Sequence, residues 1–266
     1  MRISKLFTGR VARGVTGGAA AALVISAAIS SAPLASASAQ SFCGELGGNF
    51  DGLYCRTVVS SPRKADRDIK VAIPELVDSN PAIREYLRNL YNNWKAKGAD
   101  MIQDSYGEEN FQIFNHGSTT SIVFHEDYHA NGPQVNNAYR TFNYDGGKRL
   151  QLVDILKPGT GLDAIPPLAE PFIIEALDRS APGHTPQTYP FTPDRWTPDK
   201  VYSGAYKAWA LTPDELIIYM PDYPVAHDYP IDYSLGQRVY SMDGGSVEAH
   251  IPIGAIAPIL RPGYGG

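Results

Sequence analysis

Apolar positions along this chain follow two periods, and the switches between them outline the fold. Ile69, Val71 and Ile73 alternate around Lys70, which predicts a half-buried strand over Asp68–Ile73 ending at Pro74. Asn80 then precedes Pro81, a helix cap followed by proline at the first helical position. Behind it Ile83, Tyr86, Leu87, Leu90, Tyr91 and Trp94 recur at helical spacing as one stripe, and Gly98 supplies the stop. Such an aromatic stripe reads as core and not as a cofactor-binding face.

From Phe111 to Asp154 the period falls to two. Phe111 and Ile113 alternate, Thr119–Phe124 is rich in β-branched residues, and Tyr139, Thr141 and Asn143 oppose Phe142 and Tyr144. Asp145-Gly146-Gly147 marks a turn into Lys148–Val153, a hairpin. A second helix falls between Asp163 and Arg179. Pro166 and Pro167 fit its first turn, whereas Pro171 points to a start no earlier than that residue. Five prolines then make 181–198 irregular. Tyr206–Leu211 and Leu216–Met220 form a further hairpin around Thr212-Pro213-Asp214-Glu215, and a strand near Val247–Ile251 precedes an apolar turn, Ile253–Leu260. The order predicts an α+β fold with a mainly antiparallel sheet and two principal helices.

The N-terminus adds a processing signal. Arg2, Lys5, Arg10 and Arg13 precede an alanine-rich apolar stretch, and Ala37-Ser38-Ala39 supplies a small-residue cleavage site before Gln40. The expected organisation is a signal peptide at 1–39, an N-terminal part at 40–137 and a C-terminal part at 138–262, the two parts interlocked as one globule. Removing the signal takes four of the 23 basic residues and none of the 28 acidic ones, leaving a formal charge of −9. An acidic chain argues against nucleic acid as partner, and no apolar run after the signal is long enough for a membrane helix. Cys43 and Cys55 bracket a glycine-rich loop, which an oxidising compartment would close as a disulfide.

Candidate chemistry is sparse. His125-Glu126-Asp127-Tyr128-His129 has the H-E-x-x-H spacing of zinc proteases, which works only on a helix. Here the lead-in is β-rich and Asn131-Gly132-Pro133 follows. On a strand the two imidazoles would stand about 13 Å apart, too far for one ion. No metal or other cofactor is expected. Ser246 and Ser234 each lie in an incomplete G-x-S-x-G pattern, and Ser61-Pro62-Arg63-Lys64 matches S-x-x-K outside a buried helix start, which leaves an esterase as the runner-up. The acidic pairs Glu108-Glu109, Glu126-Asp127 and Asp214-Glu215 read as solvated turns. Tyr219, Tyr223, Tyr229 and Tyr233, crowded around Pro221, Pro224 and Pro230, form a candidate binding surface, since tyrosine offers a large contact area at small entropic cost.

The Cys43…Cys55 loop, the Asn80-Pro81 helix, Ala138–Asp145, Leu152–Leu156 and Ala208–Tyr219 together resemble the mycobacterial immunogenic secreted protein family (MPT/MPB sixty-four type). From Ala138 to Leu260 the chain is also similar to the C-terminal domain of RsiV-type, lysozyme-responsive anti-sigma factors. The resemblance implies an α+β fold with a β-grasp-like C-terminal part, secretion and an actinobacterial origin, and it carries over no catalytic residue. His129-Ala130-Asn131-Gly132-Pro133 departs from the Gly-Gly-Ala-His-Gly turn of the anti-sigma domain, which puts a ligand contact there in doubt. Because those relatives bind a partner protein, the chain is expected to be a secreted or envelope-associated binding module without catalysis. Its partner is a protein or a cell-wall ligand, lysozyme-like by kinship.

Overall fold

The computed structural model describes residues 34–129, 135–180, 196–221 and 246–266. The chain begins with helix α1 (Leu34–Leu46), then β1 (Asn49–Phe50), β2 (Tyr54–Ser60), β3 (Asp66–Ala72) and helix α2 (Pro81–Gly98). Strands β4 (Ser105–His116), β5 (Thr119–His129), β6 (Val135–Asp145) and β7 (Lys148–Arg149) complete a seven-stranded sheet in sequence order, β1 to β7. Neighbours are antiparallel except β3 and β4, which run parallel because α2 carries the chain back between them. Helix α3 (Pro166–Ser180) precedes β8 (Ala208–Leu211), β9 (Glu215–Met220), β10 (Val247–Pro252) and α4 (Ile253–Ile256); the strands form a second, antiparallel sheet in the order β10-β9-β8. The fold is mixed α+β with mostly antiparallel pairing.

Alternation decides what each face meets. Ile69, Val71, Ile122, Phe124 and Phe142 project to one side of the large sheet and pack against Ile83, Leu87, Tyr91 and Trp94 of α2, each fully or nearly fully buried. Burying side chains of this size contributes about 1.5–3 kcal/mol apiece. Asn80 caps the helix as its sequence implies, its side chain accepting the Ile83 amide at 3.2 Å. Gly107 has no room for a side chain: a Cβ would lie 2.7 Å from the Trp94 ring.

On the other side, β8 lies across β5 and β6. Among the described residues its outer backbone edge has no strand partner, and side chains of the large sheet take that place. Ser121 Oγ accepts the Leu211 amide at 2.9 Å, and Thr141 Oγ1 accepts the Trp209 amide at 3.1 Å. Asn143 Nδ2 donates to the Trp209 carbonyl at 2.8 Å, and the His116 ring meets the Thr212 carbonyl at 2.9 Å. Behind the small sheet, Ile173 and Ala176 of α3 pack with Trp209, Leu211, Ile218, Ala249 and Ile251. The order of layers is therefore α2, large sheet, small sheet, α3.

Several expectations change. Cys43 and Cys55 are bonded, but Cys43 sits on α1 and not in a glycine loop. That helix is held by Phe42, over which Arg84 stacks at 4.6 Å while pairing with Glu45. It runs through Ala39 and Gln40, with Ala39 in the core; residues 1–33 lie outside the described part. The strand expected at Lys148–Val153 stops after Arg149. Leu150 bonds back to the Asn143 carbonyl, and Asp154 accepts the Gln151 amide to start a turn of 3-10 helix. Helix α3 begins at Pro166, with Pro171 inside it. Both Pro171 and Pro167 are exposed, so the missing helical hydrogen bond between them falls on the solvent side of the helix. The expected division at 137/138 falls within β6.

Candidate functional site

The small sheet covers only part of the large one. Among the described residues nothing beyond its edge covers the face opposite α2 over β2 to β5, and alternation places there Tyr54 and Arg56 from β2, Asp68 and Lys70 from β3, Tyr106, Glu108, Asn110 and Gln112 from β4, and His125, Asp127 and His129 from β5. Two adjoining hollows of about 470 and 270 Å³ run along it. Asp68, Lys70, Tyr106, Glu108 and Asp127 line the first; Asn110, Gln112, His125, Tyr139, Tyr219 and Glu248 line the second.

The polar side chains of this face hold one another in place. Lys70 Nζ donates to Glu108 at 3.0 Å, Asn110 Nδ2 reaches the other Glu108 oxygen at 3.4 Å, and the Tyr54 hydroxyl donates to Asn110 Oδ1. The hydrogen bond from Lys70 holds the Glu108 carboxyl below its ordinary value against the opposing effect of partial burial. Where the sheets meet, three rings stack: His125 on Tyr139 at 4.4 Å between centroids, and Tyr139 on Tyr219 at 4.3 Å. The Tyr139 hydroxyl donates to Glu248 of β10. Burial first, and that hydrogen bond second, push the phenol far up, so Tyr139 remains a donor and not a nucleophile. Glu248 also lies 3.7 Å from His250, whose other ring nitrogen contacts Glu215 at 2.9 Å. Tyr106 packs its ring against His129 at 4.5 Å.

The sequence-derived candidates scatter over this arrangement. His125 and His129 share the open face of strand β5, while Glu126 projects toward α2; the H-E-x-x-H constellation is therefore divided between two faces of a sheet. Among the described residues, no group of three or more His, Cys, Asp or Glu is placed to hold a metal ion. Tyr219 is 4% exposed, so it lends the hollow an edge and not an open ring. Tyr223, Tyr229 and Tyr233 lie outside the described residues, as do Ser234 and the His129–Pro133 turn beyond its first residue. Among the described residues, Ser246 Oγ is buried with no hydrogen-bond partner, and Ser61 Oγ accepts the Arg63 and Ala65 amides within a turn. The paired acids separate too: Glu108 faces the open side and Glu109 the helix, while Glu126 and Asp127 divide the same way. Sequence reasoning missed Tyr106, Asn110 and Gln112; the period-2 run through β4 was their only signal.

Residues 153–254 match a family described as a protein of unknown function (DUF3298), and residues 32–69 match the mannan-binding protein family. The first match covers α3 and the small sheet, beginning fifteen residues after the start of the C-terminal part expected from the sequence. No curated protein matches the chain. A crystal structure of a DUF3298 family protein from Pseudomonas aeruginosa PAO1 is 18% identical and superposes with a TM-score of 0.50 over 80% of this chain and 94% of that one, a likeness of fold. A DUF3298 family member from Bacteroides fragilis is 12% identical, with a TM-score of 0.45 over 79% and 92%.

Proposed function

We propose that this chain is exported and acts as a non-catalytic binding protein of the envelope or medium, gripping its partner on the open face of the large sheet. One observation carries the reading. Tyr54, Tyr106, His125 and His129 stand on that face amid mutually braced amides and carboxylates, beside two hollows. Rings fixed in place before contact lose little entropy on binding, which is why tyrosine anchors so many interfaces. Asp68, Glu108, Asp127 and Glu248 outnumber Lys70 and Arg56 there, so the charge favours a basic protein. The resemblance to lysozyme-responsive anti-sigma factors supports lysozyme as the first such protein to offer. The resemblance to immunogenic secreted proteins and the Ala37-Ser38-Ala39 site support export.

A polysaccharide ligand is the second reading. It is favoured by the match of residues 32–69 to the mannan-binding protein family, because those residues contribute Tyr54, Arg56 and Asp68 to the same face. Immobilised chain is offered lysozyme and a cell-wall polysaccharide in parallel. Capture of either should weaken about tenfold or more in Tyr106→Ala and in His125→Ala, with melting unchanged. Retention at wild-type strength by both variants would remove the open face as the binding surface, and capture of neither probe by the wild-type chain would count against both ligand classes.

A further inference from the structure

Under α2, two carboxyl groups meet that neither the open face nor the binding reading uses. Glu109 of β4 and Glu126 of β5 are directly paired across the strands and project to the helix side. Glu109 is completely buried, and among the described residues no side chain hydrogen-bonds to either of its oxygens, the Ala72 backbone amide being the donor at hand. The Tyr86 hydroxyl of α2 donates to Glu126 Oε1 at 2.8 Å, while the Tyr86 ring packs on Phe124 and Phe142 at 5.0 and 5.7 Å. Around the pair stand Lys97 and Glu85 of α2, Arg140 of β6, His125 of β5 and, from β3, the Ala72 backbone amide. Arg140, His125 and Lys97 favour the Glu126 carboxylate through space, and none makes an ion pair with Glu109.

With Glu109 completely buried and Glu126 partly so, the two cross-strand carboxylates cannot both ionise without strong repulsion. Burial drives Glu109 well above its ordinary value of 4.5, the Glu126 charge adds to that, and the Ala72 amide offsets part. Burial raises Glu126 as well, against the pull of Tyr86. Tyr86 is itself held far up by burial and the two carboxyls, and so stays a donor.

We propose that Glu109 and Glu126 form a proton-held latch, in which a proton kept on the pair fastens α2 to β4 and β5 and its loss on a rise in pH loosens that helix. The sign follows from linkage. A group whose folded value is raised contributes in full below its unfolded value and loses that contribution as pH climbs toward the folded one. The latch is therefore tightest below about pH 4.5 and slackens as pH climbs above that value. One proton changes the folding equilibrium constant about tenfold per pH unit within that window.

The test compares equilibrium denaturation of the full disulfide-bonded chain with Glu109→Gln and Glu126→Gln across the window. Hydrogen exchange of the α2 amides is followed in the same samples. The wild-type chain should lose stability with rising pH, and its α2 amides should lose protection beyond the intrinsic rise in exchange. Glu109→Gln should abolish both trends and Glu126→Gln should weaken them. Equal pH slopes in wild type and both variants would overturn the latch, and so would α2 protection indifferent to Glu109→Gln. Should Glu109→Gln fail to fold, Glu126→Gln decides alone, because its side chain lines an open groove and tolerates an amide.

Discussion

The two faces of the large sheet bury polar side chains in opposite ways. Toward the small sheet, Ser121, Thr141 and Asn143 are almost wholly buried, and each meets a backbone group on the free edge of β8. Toward α2, among the described residues, no side chain hydrogen-bonds to Glu109, Arg67 leaves Nε and Nη2 unpaired, and the Ser105 hydroxyl beside it is unpaired as well. A row paired with backbone seals an edge strand and fixes its register, although Asn143 Oδ1 and, farther along the same face, Thr119 Oγ1 lack partners among the described residues. An unsatisfied buried group costs about 1–3 kcal/mol, so it persists where something else compensates. The first face is a joint, and the second carries stored cost.

The widest effect should come from breaking the joint. Ser121→Ala with Thr141→Val leaves the Leu211 and Trp209 amides buried and unpaired, a loss of about 2–6 kcal/mol by denaturant titration, taking each orphan at its usual cost. A loss below 1 kcal/mol would show that the seam is held by apolar packing alone. Next in size is the covalent tie behind the other face. Replacing Cys43 and Cys55 by serine frees α1 from β2 and should lower stability by about 3 kcal/mol, read by the same titration.

Arg67 tests the comparison from the other side. Its guanidinium is fully buried, and its hydrogen-bond partners among the described residues are the His129 carbonyl, at 3.1 Å, and the Met101 sulfur, at 3.7 Å. Burial holds its pKa down. Arg67→Met should therefore be neutral or stabilising, by about 1 kcal/mol, where truncation of a paired residue would destabilise. A loss as large as that of the Ser121 and Thr141 variant would erase the distinction between the faces.

How far the sequence reveals this depends on the period in question. The α2 stripe, its Asn80 cap, the β6–β7 turn at Asp145 and the β8–β9 hairpin are legible because each rests on local spacing. Period two likewise separates Thr141 and Asn143 from Phe142. It does not say that a second sheet covers the polar side, where those residues are buried. The same blindness turns Glu108-Glu109 into a solvated pair. Which of the two is interior depends on where α2 lies, and the parallel β3–β4 pairing that puts it there is a long-range fact. Helix α1 is missed because its glycine-rich surroundings read as loop, while Phe42, Cys43 and contacts from α2 hold it. Pro171 misleads because its place on an exposed side of α3 was not visible.

The smallest effect joins the faces within one strand. Glu108 and Glu109 are chain neighbours on opposite sides of β4, and their contributions to stability should run in opposite directions with pH. Lys70 holds the Glu108 value down. A depressed group contributes above its unfolded value of 4.5 and loses that contribution as pH falls through the folded one. Glu109, raised, contributes most in acid. Glu108→Gln should thus flatten only the acid limb of the stability profile. The amount is about 0.3–1 kcal/mol, because about a third of each side chain remains in water and solvent screens the pair. Lys70→Met should reproduce that change, and added salt should shrink it in the wild-type chain. A Glu108→Gln profile altered on the alkaline limb instead would mean that both carboxyls answer to one environment, and the opposition between the two faces would not extend to their charges.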